Sequence, residues 1–266
     1  MSIKKVVVCT DLEGVSGVTS FAEQTVTGGR YYEQARKLLT AEVNAAVEGM
    51  IAEGLDDILV LDGHGAGGIC FEELHPAAQL LHGRPLPLVE VGDRLFRAYD
   101  AAAMIGQHAM SGTPDGNLNH TQCSATVECF KLNGRLIGEI AQFALFCGEL
   151  GVPLIFLSGD RAACREAEEL VDGITTAIVK EGLNRTCAVS LAPTTAHRRI
   201  HDGIRAALRK QTQSPLAPLR WPGPYVLEKR FLLAETAEGA EKGPLCERVD
   251  AVSVRYRSDD LLKIIY

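Results

Sequence analysis

The chain lacks most of the signatures that assign a protein quickly. Its eight cysteines contain no C-x-x-C pair and lie scattered, mostly inside apolar runs. That pattern predicts free, buried thiols in a reducing cytoplasm. Positive charge is in deficit, with a net charge of −7 over 266 residues. This argues against nucleic acid or an anionic membrane surface as the main partner. The apolar run after Met1-Ser2-Ile3-Lys4-Lys5 is too short for a signal peptide, and no stretch is long enough to span a bilayer. The glycine-rich segment Asp62-Gly63-His64-Gly65-Ala66-Gly67-Gly68 is followed by no G-K-S/T, and its glycine spacing is not that of a dinucleotide fingerprint. His108 and His120 are too far apart for an H-E-x-x-H pair. There is no internal repeat and no low-complexity segment.

What is present is alternation. Hydrophobic residues make up 46% of the chain, enough for one large domain or a large and a small one. Short apolar runs predict strands over Lys5–Thr10, Asp57–Leu61, Leu86–Val91, Ala101–Gly106, Pro153–Leu157 and Thr175–Val179. Helical periodicity covers Tyr31–Glu53, Gly138–Leu150 and Arg161–Val171. Asn133-Gly134, between 125–132 and 135–137, predicts a β-hairpin. Strand–helix alternation predicts an α/β fold, a mainly parallel sheet with helices on both faces. After about Pro193 the pattern changes. Residues 1–192 are read as an α/β domain, and 193–266 as a smaller C-terminal α+β domain or appendage. That second part has a helix to Lys210, strands over Tyr225–Leu232 and Arg248–Arg257, and a short terminal helix from Ser258, its candidate N-cap. The basic residues from His197 to Lys210 read as a solvated helix face, because Ile200, Ile204 and Leu208 recur behind them.

Ligands of such a sheet bind outside the carboxyl ends of its strands, and chemistry-bearing residues collect there. Asp11 and Glu13 end the first strand. At i and i+2 on an extended chain, two carboxylates point to one side and repel unless a cation or proton lies between them. His64 leaves the second strand between small residues, with Asp62 as a candidate bonding partner. His108 follows Gly106-Gln107, and His120 closes the polar loop that begins at His108. Glu139 stands at a helix start. Asp11, Glu13, His64, His108 and Glu139 thus form a candidate divalent-metal set, and an unligated histidine of the 108/120 pair is a candidate base or nucleophile. Each has an ordinary explanation when taken alone: a cap, a loop histidine, a carboxylate compensating a helix dipole. Asp160 reads as the N-cap of the Arg161 helix.

Taken together, Thr10-Asp11-Leu12-Glu13-Gly14-Val15-Ser16-Gly17, Asp62-Gly63-His64, Gly106-Gln107-His108 with Thr113-Pro114 and His120, Gly138-Glu139 and Gly159-Asp160-Arg161 resemble the zinc-dependent D-aminopeptidase family (DppA-type). The match in order and spacing runs over about the first 170 residues. The resemblance implies two zinc ions per subunit, with Asp11 bridging both and Glu13, His64, His108 and Glu139 completing the ligands. It implies His120 as the catalytic histidine, a short peptide with a free N-terminal D-residue as substrate, and a ring-like homodecamer. The alternatives are another metal-dependent amide or phosphoester hydrolase on the same scaffold, or a non-catalytic metal or small-ligand binding protein.

Overall fold

A computed structural model of the chain describes residues 3–86 and 88–266. In chain order its first half holds β1 (Lys5–Thr10), α1 (Tyr32–Ala52), β2 (Asp57–Asp62), β3 (Ala78–Leu81), α2 (Leu88–Phe96), β4 (Ala101–Gln107), β5 (Val127–Leu132) and β6 (Arg135–Ile137). Then follow α3 (Glu139–Glu149), β7 (Leu154–Asp160), α4 (Arg161–Leu170), β8 (Thr175–Asn184), β9 (Cys187–Ser190) and α5 (Pro193–Gln213). The last elements are β10 (Tyr225–Phe231), α6 (Ala234–Ala240), β11 (Cys246–Asp250) and β12 (Ser253–Ser258).

Seven strands form the central layer in the order β3-β2-β1-β4-β7-β8-β9. All neighbours run parallel except the β8–β9 hairpin. Side chains alternate between the two faces of a strand, and both faces here are covered. Val6 and Val8 pack with Leu39, Val43 and Val47 of α1 and with Ile200 and Ile204 of α5. Val7, between them, packs into the opposite core with Phe143 and Phe146 of α3. Burial on both faces is why β1, β2, β4 and β7 read as unbroken apolar runs. The mainly parallel sheet with helices on both faces is therefore as expected.

A second sheet, antiparallel and ordered β11-β12-β10-β5-β6, shares the α3 core through Leu132, Leu227 and Val254. Its middle joins the hairpin at Asn133-Gly134 to strand β10 near the chain end. Residues from 193 on are divided between the two layers. Helix α5 lies on the large sheet against α1 and β8, while β10–β12 complete the second sheet. The basic face of α5 is solvated, with Arg205 and Arg209 both paired to Glu53.

Several boundaries differ from expectation. Leu88–Phe96 is helix α2 rather than part of a strand over Leu86–Val91 (Pro87 lies outside the described residues). A short apolar run bounded by proline fits either state by pattern alone. Here Gly92 lets the helix approach Phe146, and Phe96 meets the same ring edge-on. The strand expected over 248–257 is two strands, because the Asp250 side chain accepts the Val252 N–H and turns the chain. The terminal helix is a single 3-10 turn, Leu261–Lys263, capped by Asp260 and not by Ser258. Strands β3 and β9, short and at the two edges of the large sheet, and the short helix α6, packed on β10 and β12, have no counterpart among the expected elements.

Candidate metal centre

The carboxyl ends of β1, β2 and β4 meet at one point. Asp11 leaves β1 with its N–H bonded to the Ile105 carbonyl of β4, and Gly14 bonds to Gly106. The two segments touch so closely that a Cβ on Gly14 would stand 2.0 Å from the Gln107 carbonyl. This contact aims Asp11 and Glu13 at His108, the residue after β4. His64 arrives from the turn after β2. Glu139 is the first residue of α3, where a carboxylate suits the helix dipole. His120 comes from the loop between β4 and β5.

The six side chains that sequence singled out lie together, most of them buried. The two oxygens of Asp11 face different histidines: Oδ1 is 3.2 Å from His64 Nδ1, and Oδ2 is 3.0 Å from His108 Nε2. Glu13 Oε2 stands on the His64 side at 3.2 Å, and Glu139 Oε1 on the His108 side at 3.3 Å. Each histidine is oriented by a backbone carbonyl through its other nitrogen. His64 Nε2–H donates to Thr25, His108 Nδ1–H to Ala109 and His120 Nδ1–H to Leu118. A neutral imidazole held this way turns a lone pair toward carboxylate oxygens, a repulsive arrangement unless a cation or proton intervenes. Glu13 Oε2 and His108 Nε2 are buried and, despite these close neighbours, make no well-aligned hydrogen bond, as metal-directed atoms would not. The donor set of imidazole nitrogens and carboxylate oxygens fits zinc.

Protons do the same work when no metal is bound. Burial opposes a charge on His64, but the Asp11 and Glu13 carboxylates outweigh it and lift its pKa to about 11. Burial likewise opposes charge on His108, and Asp11 and Glu139 drive its pKa well above the ordinary value. Burial works against ionised Asp11 too, yet the two histidines hold it well below the carboxylate range. His120 differs. Burial and the neighbouring His108 lower its pKa, so the ring is neutral at pH 7. It stacks on His108 with centroids 4.0 Å apart, and its Nε2 lies 3.8 Å from Glu139 Oε1.

Support for these groups comes from farther along the chain. Buried Lys180 of β8 donates to the carbonyls of Glu13 and Val18, 2.6 Å each, and fixes the carboxylate loop. Asp160 caps α4 through Ala163 and also accepts the Asn117 N–H. The Arg185 carbonyl accepts the Leu118 N–H, and its guanidinium lies over Phe21, whose edge meets His120. Leu118 and Gln122, on either side of His120, have φ of 53° and 60°. Non-glycine residues adopt this region rarely, so the loop is held in place by its bonds. Sequence reasoning missed Lys180 and Arg185. Lys180 carried a signal, a lysine directly after the apolar pair Ile178-Val179; Arg185, in a hairpin turn, carried none. Asp62 is not the partner of His64. It accepts from the Gly68 and Ile69 N–H groups and shapes the glycine-rich turn instead.

Glu42 of α1 sits beneath the same loop and accepts the Ser16 N–H at 2.9 Å. Burial lifts its pKa from 4.5 to about 8, against that bond and the nearby Lys180. Between those values the folded chain holds a proton that the unfolded chain has released. The associated stability is complete below pH 4.5 and is lost as pH rises through 8, by at most about 1.4 kcal/mol per unit. Glu42→Gln keeps the acceptor and removes the titration. Urea unfolding should give similar midpoints for the two proteins near pH ~5 and a more stable variant near pH ~9.

The cluster opens into a cavity of about 680 Å³. Apolar side chains in its lining include Val26, Leu86, Leu88, Met104 and Phe143. Cys9 also lines it, but burial and Asp11 push its thiol well above the usual range, which makes it a poor nucleophile.

A family model described as D-aminopeptidase matches residues 4–266. A D-aminopeptidase of Bacillus subtilis (strain 168) is 32% identical over 265 residues, spanning 97% of this chain and 93% of its own length. The solved structure of the Zn-dependent D-aminopeptidase DppA from Bacillus subtilis, a self-compartmentalizing protease, is similar with a TM-score of 0.89 at 30% identity. That match covers 98% of this chain and 94% of the other.

Proposed function

Since the chain belongs to the D-aminopeptidase family, we propose that its cavity hydrolyses short peptides bearing a free N-terminal D-residue, with zinc as the metal. The observation that carries this reading is the set of histidines, each pinned by a backbone carbonyl with its remaining nitrogen turned to the carboxylate cluster. We assign two ions per subunit. Asp11 would serve both, Glu13 and His64 would hold one, and His108 and Glu139 would hold the other. Bound there, a zinc pair supplies Lewis-acid polarisation of the scissile carbonyl. His120, neutral and unligated in this assignment, takes a proton from the attacking water or attacks the carbonyl itself. The apolar lining residues accommodate small substrate side chains. A homo-oligomer is supported by the self-compartmentalizing character of the DppA relative, and we take the assembly to be a decamer that encloses its active sites. No helix among the described residues is long and apolar enough to cross a membrane. All eight cysteines are free, which suits a cytoplasmic setting.

The test is a panel of D-alanyl and L-alanyl anilides and an aryl phosphoester, assayed before chelation, after it, and after zinc is restored. Turnover of the D-anilide alone, lost on chelation and recovered with zinc, is expected. Turnover of the L-form with none of the D-form overturns the stereospecificity. Turnover of the phosphoester alone moves the enzyme to another reaction class, and bound zinc with no turnover at all makes it a binding protein.

A further inference from the structure

One cation lines the cavity and has no carboxylate partner among the described residues. Among the described lining residues Arg84 is the only lysine or arginine. It is held by backbone alone: its guanidinium donates to the carbonyls of Asp62, Gly63 and His64 through Nη2 and to Gly83 through Nη1. Those bonds fix the plane of the group and occupy Nη2 and one N–H of Nη1. Nε–H and the second Nη1–H make no bond among the described residues. Each of these free N–H groups can donate a charge-assisted hydrogen bond to a carboxylate oxygen. The residues at its foot, Gly63, Gly65 and Ala66, are small and leave the approach open. An arginine of this kind, pre-positioned and unpaired at the rim of a cavity, is an anion receptor.

Its place decides which anion. Because the guanidinium bonds to the carbonyl of His64, it stands just beyond the cluster of Asp11, Glu13, His64, His108 and Glu139. Resting on the aminopeptidase reading above, we propose that Arg84 binds the C-terminal carboxylate of the substrate. This makes a free C-terminal carboxylate part of what the enzyme selects. A peptide anchored at both ends is held across the ligand cluster, whereas an amidated peptide forgoes the second anchor.

The experiment compares kcat/KM for D-alanylglycine and for its C-terminal amide, in zinc-loaded protein and in Arg84→Met. The unaltered protein should prefer the free acid by about 10- to 100-fold, the range for one charge-assisted pair. In Arg84→Met the preference should fall close to one, through a rise in KM for the free acid. Arg84→Lys should restore part of it, since the charge returns without the backbone-fixed plane of the guanidinium. If Arg84 only ties down the His64 turn, both substrates lose activity together and the ratio stands, which overturns the proposal. Equal use of acid and amide by the unaltered protein overturns it as well. If neither compound nor the D-anilide is turned over, the aminopeptidase reading itself has failed, an outcome distinct from the other two.

Discussion

Replacing His120 by alanine is expected to lower turnover of a D-alanyl anilide by about 10²–10⁴-fold, while the protein keeps its full zinc content. The His120 ring is oriented through Nδ1 by the Leu118 carbonyl, so Nε2 carries the lone pair. Burial and His108 keep that nitrogen unprotonated at neutral pH. Both the base and the nucleophile role need this state. A competing geometry exists, because His120, His108 and Glu139 offer ligand atoms within 4.8 Å of one another. Metal analysis of His120→Ala separates the two. Zinc retained with activity lost keeps His120 off the metal, and zinc lost with activity makes it a ligand. Full activity removes it from the chemistry altogether.

The second large effect concerns Asp11. Its two oxygens face the two histidine groups separately, so one side chain serves both halves of the centre. Asp11→Ala should leave the protein near zero in zinc and inactive, while Glu13→Ala should weaken chiefly the ion beside His64. Asp11→Asn is the control for folding. It keeps an acceptor for the Leu12 N–H and removes the charge, so metal should fall while the circular dichroism spectrum stands. Metal emission after gel filtration in chelator reads all three. Retention of both ions in Asp11→Ala would remove the bridge from the proposal.

Much of the fold was legible in the chain because burial on both faces writes itself as unbroken apolar runs, as at Val6-Val7-Val8. Edge strands carry no such mark. In β3, Ala78-Gln79-Leu80-Leu81 is only partly buried and has one strand neighbour, so nothing in its pattern separates it from a loop. The turn at Asp250 contains no glycine or proline, and β11 and β12 therefore merged into one strand. The candidate ligands were visible for a related reason: charged residues stand out where an apolar strand ends. The groups that orient them were not. Thr25 and Leu118 act through backbone carbonyls, which no side-chain pattern reveals, and Arg84 reaches the cavity from a loop.

The second sheet has a consequence for how the protein is made. The loop bearing His120 runs directly into β5, and β5 is completed by β10; the Asn133 side chain bonds to Val226, 93 positions later. During synthesis the large sheet through β8 emerges with Asp11, Glu13, His64 and His108 already on it. The β5–β6 hairpin must then wait on the ribosome for its remaining partners, and a lone hairpin is marginal in water. Long-range pairing of this kind is slow. Completion of the second sheet therefore follows synthesis of β10, whereas the His120 loop finds its partners Asp160 and Arg185 on the large sheet before then.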